Sequence, residues 1–536
     1  MIRQFGGLMP RRSEHLLPEG AASRAHDVKL RNGRLEAWRE KLPAALAGSE
    51  ALSFHAWSCC YLHWPSCVSA SEYLPDYARL YLTGRSERPE LAIRIGCEPL
   101  YFYLGVPAPA NFLSLSATES FGEEADARSY VYTYVNQFGE ESAPSPPSRQ
   151  ITVPDGSPVL CSGFVAPPDG YGIVGINLYR SATGYRSGSE KEQEFMTDYL
   201  LVAELGLETA FADAVLSRHL GPALATRENR LPPADLRQIR HINGSGVLVG
   251  ATDNQVHFSE NFQPWNWPAE YDLTLPVNTV NLVTLDNWVF VSTDGKPFVI
   301  DGSPKCEARQ SRQVRDVDSV LPDIGCGYAH SATATPFGMV YASLDGLVLV
   351  KADASFDILT SPWYSRDEWL KLRPETVRLT YWRGYLICVT EVISFMLEID
   401  GQTYGDYQAG ALSTISDRPL DMSVTENGEL LFLENGVIYQ WDAGNSRRPY
   451  VWESKELYLT GDSSPGLARL RTEEGVTFRL LSPKKNLFFE RPVVDEKPFR
   501  LGRLGRHDYY KVGLYGSGRV DFLELGGAAS AVQKEA

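Results

Sequence analysis

"GMVYASLDGLVLVKAD", residues 338–353, sets two apolar runs of strand length on either side of an Asp-Gly pair. β-Branched and aromatic runs around such a pair read as a hairpin, because a two-residue type I′ turn needs positive φ at both central positions. The pattern recurs along the chain: "GVLVGATDNQVHFSE" starts at Gly246, "NWVFVSTDGKPFVIDG" at Asn287, "GYLICVTEVISFMLEIDG" at Gly384 and "GELLFLENGVIYQWDAG" at Gly428. Successive starts lie 41, 51, 46 and 44 residues apart. Seven residues into each segment stand Asp253, Asp294, Asp345, Glu391 and Asn435, and in three of them the next residue is Gly295, Gly346 or Gly436. A type I′ turn is expected at those three pairs.

A hairpin repeated at 40 to 50 residues is the signature of β-propeller blades, each too small to bury its own face until neighbours stack on it. The expected fold class is therefore all-β, with a propeller of five recognisable blades over residues 221–450. Upstream, "YVYTYVN", "SPVLCSGFVAP", "GINLYRS" and "YLLVAELG" alternate in the same way between Gly, Pro, Asp and Ser. Residues 91–220 therefore read as a β-sandwich. Residues 1–90 read as an N-terminal platform segment whose best helical stretch, 33–47, is cut by Pro43. Residues 451–536 carry further strands that close the propeller or the platform.

The chain of 536 residues is 43% hydrophobic and 22% charged, the balance of a folded protein with several cores. Its formal charge of −16 opposes stable binding to a nucleic-acid backbone. No apolar run approaches the roughly 18 residues of a membrane span, and the N-terminus lacks the core of a secretory signal. Synthesis in the cytoplasm is the expectation. The eight cysteines show no framework spacing and read as mostly buried thiols.

Candidate chemistry is thin. His55, Cys59, Cys60, His63 and Cys67 fall within thirteen residues, but they lack a C-x2-C knuckle. Read as one alternating strand, the stretch sends Cys59 and Cys60 to opposite faces. No metal or cofactor is expected. The Asp-Gly turns faintly resemble the Asp-box of sialidase-type propellers, yet turn geometry already accounts for them. Nucleophile elbow, Walker loop, H-E-x-x-H and EF-hand are all missing from the sequence. The aromatic cluster "FSENFQPWNWP" places Trp265 and Trp267 either as a sugar-stacking platform or, more commonly, as core or interface anchors. Residues 491–520 hold seven Lys or Arg against three Asp or Glu, which marks Arg500, Arg503 and Arg506 as candidate interface residues.

Read in order, "FGGLMPRRSEHLLPEGAASRAHDVKLRNGRLEAWR", "YTYVNQFGEESAPSPPS", "GINLYRSATG", "YLLVAEL", "TAFADA", "LPPADLRQI", "HFSENFQPWNWP" and "RLTYWRGYLI" resemble the tail nozzle, or tail-tube hub, proteins of short-tailed bacteriophages. The resemblance implies a structural virion protein and not an enzyme. Six chains would form a ring at the end of the tail, dock on a tail adaptor ring, pass DNA during ejection and offer a place for tail fibres. It also implies a sandwich-like platform and a propeller in each subunit. Within the sandwich, "YTYVNQFGEESAPS" is similar to the penultimate strand of a fibronectin type III domain and its turn, here placed ahead of the strands it normally follows. A receptor- or carbohydrate-binding tail component and a propeller glycoside hydrolase are the alternative expectations.

Overall fold

The computed structural model describes residues 2–73, 78–117, 125–181, 198–243, 245–303, 311–314, 330–399, 410–458, 465–482, 487–502 and 509–526. The protein is all-β: among the described residues helix is confined to single turns such as Arg366–Leu370, and none is long and apolar enough to cross a membrane. The chain divides into two compact units that are discontinuous in sequence. One comprises Met1–Val68, Val277–Ile300 and Ser311–Ala536, the other Ser69–Pro276 and Asp301–Gln310.

In the first unit the repeat read from the sequence becomes a series of four-stranded antiparallel meanders. One is built from Thr279–Leu285, Trp288–Thr293, Phe298–Asp301 and Ser311–Gln313, the next from Ala332–Thr335, Gly338–Ser343, Gly346–Val350 and Phe356–Ile358. The third uses Arg378–Trp382, Tyr385–Val389, Ser394–Glu398 and Leu412–Thr414. The first strands of consecutive sheets lie side by side, and the sheet faces enclose apolar layers such as Val340, Leu349, Leu386, Phe395 and Trp369. This is the blade arrangement that the hairpin period requires.

The last sheet is completed from the other end of the chain. Asp421–Val424, Leu430–Glu434 and Val437–Gln440 take Leu42–Leu46 as their fourth strand. The stretch expected to be helical is thus an edge strand. Pro43 fits there because it has no N–H to give, and the register slips beside it, between Ile438 and Tyr439. Arg39, Lys41 and the residues around them tie this strand down through Asp442 and Asp417.

The Asp-Gly turns are corrected in two of three cases. Asn435 and Gly436 have φ of 52° and 75° between the paired residues Glu434 and Val437, the expected type I′ pair. Ser343 pairs with Gly346, however, so the loop is Leu344-Asp345 and Gly346 starts the next strand, with φ of 144°. Neither Asp294 nor Gly295 has positive φ. What recurs at the tips is a hydroxyl: Thr293, Ser343 and Thr390 each accept the amide two residues on, at 3.1, 3.0 and 3.1 Å. Each donates to the carbonyl three residues on, at 2.7, 3.0 and 3.0 Å. Such side-chain turns compete with the two-residue Gly turn for the same corner.

The N- and C-terminal stretches share a core. Ala22–His26, Tyr450–Ser454, Tyr509–Gly516, Val476–Leu481 and Leu487–Val493 form one sheet in that order; Phe499–Arg500, Leu467–Thr472 and Val520–Gly526 form another. Phe5, Trp452, Leu470, Phe478, Leu514 and Leu523 fill the space between them.

The second unit holds two more four-stranded meanders, over residues 69–103 and 237–274, whose first strands Ser69–Glu72 and Arg237–His241 are neighbours. Between them in sequence lies a sandwich: Ser114–Ala117, Val159–Ser162 and Ala210–Asp213 face Tyr130–Asn136, Ile173–Ser181 and Tyr199–Leu205 across Tyr130, Tyr132, Tyr134, Val159 and Leu178. The proline-rich stretch after Tyr130–Asn136 replaces a further strand. The amides of Tyr130, Tyr132 and Tyr134 donate to the hydroxyls of Ser148, Ser145 and Ser142 at 2.9, 3.2 and 3.0 Å. Those serines return their own amides to the same tyrosines' carbonyls at 2.9, 2.8 and 3.0 Å. The serine side spends three residues for every two of the strand. Ala143, Pro144, Pro146 and Pro147 fill the spare positions, and the prolines there have no N–H left to satisfy.

Candidate interaction surfaces

The residues singled out for chemistry mostly turn out to be braces. Residues 53–64 form a hairpin and not one strand: Ser53–Trp57 pairs with Cys60–Trp64, and Ser58, with φ of 57°, turns the corner beside Cys59. Cys60 is buried on one face and His63 exposed on the other. Cys60, Cys67 and Cys97 are disulfide-bonded, which corrects the reading of mostly buried thiols. Cys161 and Cys388 are free and buried, and Cys59 is free and exposed. Burial pushes the Cys161 thiol up to about 12, so it stays protonated and inert. Cys306 and Cys326 lie outside the described residues.

The carboxylates at the blade tips are structural. Asp294 accepts the amide and side-chain nitrogen of Asn278 at 2.9 and 2.7 Å, and Asp345 pairs with Arg366 at 3.1 Å on the surface. A deeply buried carboxylate of the blades, Asp421, accepts the amides of Phe54 and Met422 at 2.9 and 2.6 Å, with His330 at 3.3 Å. Burial raises its pKa against those three influences and the charge of His55, and its contacts hold the 53–64 hairpin to the sheet of residues 421–440.

Of the tryptophans, Trp267 is core: it is buried with Leu236, Ile239 and Leu248, and its Nε1 donates to Pro264 at 2.9 Å. Trp265 is half-buried, and Phe262 is the exposed ring of that cluster. Arg503 and Arg506 lie outside the described residues. Arg500 is exposed on the two-residue strand Phe499–Arg500, which pairs with Leu467 and Ala468.

Beside Arg500 the structure brings together a feature that the sequence reading passed over. Leu487–Val493 is the last strand of its sheet among the described residues, so one backbone edge has no strand beyond it. Its flanks are apolar and open: Leu487 is 53% exposed, Phe488 38% and Val494 72%. Inward, Phe489 stacks on Phe499 at 6.3 Å and the Arg491 guanidinium lies 5.0 Å above the Phe499 ring. Neither Arg491 nor Arg500 makes an ion pair among the described residues. An open strand edge with exposed apolar side chains is a template for another strand, and natural proteins leave one where something covers it. The signal in the sequence was "LFFERPVV", an apolar run with a single Glu-Arg pair at its centre.

No protein-family model matches the chain, and no curated protein matches it in sequence. Solved structures that resemble it include propeller domains. The Neurospora crassa Pan2 WD40 domain is 10% identical, covering 71% of this chain and 90% of that one, with a TM-score of 0.29. The β-propeller domain of Myceliophteria thermophila Cps50 (Swd1) is 10% identical over 63% of this chain and 96% of that one, with a TM-score of 0.24. Porphyromonas gingivalis PorZ, a bacterial surface component of a type-IX secretion system, is 11% identical over 94% of this chain and 81% of that one, with a TM-score of 0.25.

Proposed function

We propose that the protein is a structural subunit that assembles into a ring, in the manner implied by its resemblance to the tail nozzle proteins of short-tailed bacteriophages. In this reading it docks on an adaptor ring and lets DNA pass during ejection, and the sandwich of the second unit is fibronectin-III-like. The observation that carries the proposal is the Leu487–Val493 edge, open among the described residues, with Leu487 and Phe488 exposed on it and with Arg491 in it and Arg500 beside it making no ion pair among those residues. On a chain of net charge −16, the commonest surface for that edge to meet is acidic. A head-to-tail contact sets the edge of one copy against a different, acidic surface of the next, and head-to-tail contacts that close make rings.

The charge also suits passage of DNA, because an acidic wall repels phosphates whereas a basic wall releases counterions and holds them. Native mass measurement on the purified protein, alone and with its adaptor, tests the reading. Six times the 59.6 kDa of one chain is expected. A chain that stays monomeric with the adaptor present, or that holds duplex DNA tightly at about 0.15 M salt, rules it out.

A further inference from the structure

Arg240 sits on Arg237–His241, the first strand of the second unit's 237–274 sheet. The strand is bulged: Arg237 pairs with Ala251 and Arg240 with Val249, and Gln238 between them has φ of 56°. A bulge re-aims the side chains that follow it. Here it turns the Arg240 guanidinium toward the neighbouring strand Ser69–Glu72, where Nη1 donates to the Ser69 hydroxyl and, at 3.0 Å, to the Ile239 carbonyl. Nε and Nη2 have no acceptor among the described residues.

The other arginines drawn out of water in this unit are each given a carboxylate. Arg180 has Asp213 at 2.6 Å, Arg79 has Glu140 at 2.8 Å and Arg128 has Asp155 at 3.0 Å. Arg240 has none among the described residues. Loss of water pulls its pKa down to about 10. A cation withdrawn from water without a counter-charge is costly, and mutation more often removes such a group than keeps it. The adjacent His241 supplies no charge, since burial lowers its pKa and its Nε2 is tied to the Ser245 carbonyl at 2.7 Å.

We propose that Arg240 is the receptor for an oxyanion on a small molecule, a carboxylate or a phosphate group, held by the Nε–Nη2 edge of the guanidinium. That edge is a planar fork whose two parallel N–H bonds match two oxygens of one such group. Arg240 as a residue is only partly covered. The Ser69 hydroxyl and the Ile239 carbonyl occupy Nη1 and fix the plane of the fork before the ligand arrives.

The test is calorimetric titration of the full chain with inorganic phosphate and, separately, with acetate, against chloride at matched ionic strength. Saturable binding of either anion that weakens at least tenfold in Arg240→Leu supports the site and says which group it takes. Arg240→Lys keeps the charge but loses the fork, and is expected to weaken binding as well. Thermal melting in anion-free buffer separates a receptor from a structural brace. With a receptor, Arg240→Leu melts no lower than the parent, because an uncompensated charge has been removed. If neither anion binds saturably, if Arg240→Leu binds as the parent does, or if that variant melts lower in anion-free buffer, the proposal is overturned.

Discussion

The amide of Ser145 donates to the Tyr132 carbonyl at 2.8 Å, and the Tyr132 amide donates back to the Ser145 hydroxyl at 3.2 Å. Ser145 therefore acts as both halves of a strand residue, in a stretch where prolines preclude an ordinary ladder. Tyr132 is wholly buried, so Ser145→Ala leaves its N–H without an acceptor and without water. The expected loss is about 1–3 kcal/mol, read as a lower urea midpoint at unchanged slope. An unaltered midpoint would show that the hydroxyl is dispensable.

That exchange also shows where the sequence was silent. "ESAPSPPS" advertises irregular backbone, but its three-residue serine period is meaningful only against the two-residue tyrosine period of the strand it faces. The blade repeat was legible because each hairpin carries its own apolar alternation. The tip geometry was not: the Ser343 hydroxyl closes the corner one residue earlier than Asp345-Gly346 would. Residues 33–47 looked helical because local spacing cannot report that Leu42–Leu46 pairs with Val437–Gln440, some 390 residues away. Arg500 was picked out by composition, whereas the open edge beside it depends on which strand ends the sheet.

Gly346 is indispensable for two reasons that act together. Its φ of 144° disfavours any side chain, and a β-carbon there would lie 2.3 Å from Thr360 Oγ1 and 2.9 Å from Ile358 Cγ2. Gly346→Val is expected to cost at least about 1–3 kcal/mol. Gly295→Ala, at ordinary φ with its nearest contact at 3.2 Å, serves as the control and loses clearly less. Equal melting temperatures for the two variants would mean that the 346 corner is placed wrongly.

Asp417 is expected to contribute to the acid limb of stability. Burial alone would raise its carboxyl, but hydrogen bonds from Arg448 at 2.5 and 3.2 Å, Lys41 at 2.8 Å and Trp441 at 3.0 Å outweigh it and leave the pKa below the usual 3.8. A carboxyl lowered on folding stabilises fully above its unfolded value, and the contribution drains away as pH falls through the folded one. Asp417→Asn, which leaves Arg448 and Lys41 facing an amide, is expected to lose about 3–5 kcal/mol at neutral pH. It should also show a shallower fall in stability than the parent between about pH 5 and pH 2. Parallel acid limbs in the two proteins would place the titrating group elsewhere.

The assembly edge can be tested without disturbing the fold, because its outward residues carry little of the core. Phe488 and Arg500 are exposed, while Phe489 and Phe499 beneath them hold the packing. In the proposed ring the edge strand meets an acidic surface of the next copy, and Arg500 makes no ion pair among the described residues. Arg500→Glu turns that attraction into repulsion and Phe488→Ser removes apolar area, so each alone should weaken ring closure or adaptor docking, and both together should abolish it. The monomer should still melt as the parent does, since surface changes of this kind usually cost within about 0.5 kcal/mol. Assembly that weakens with added salt in the parent, but less so in Arg500→Glu, would locate the attraction at this residue, because screening acts only on a charge pair that is there. A double variant that assembles as well as the parent would move the subunit contact away from the C-terminal sheet altogether.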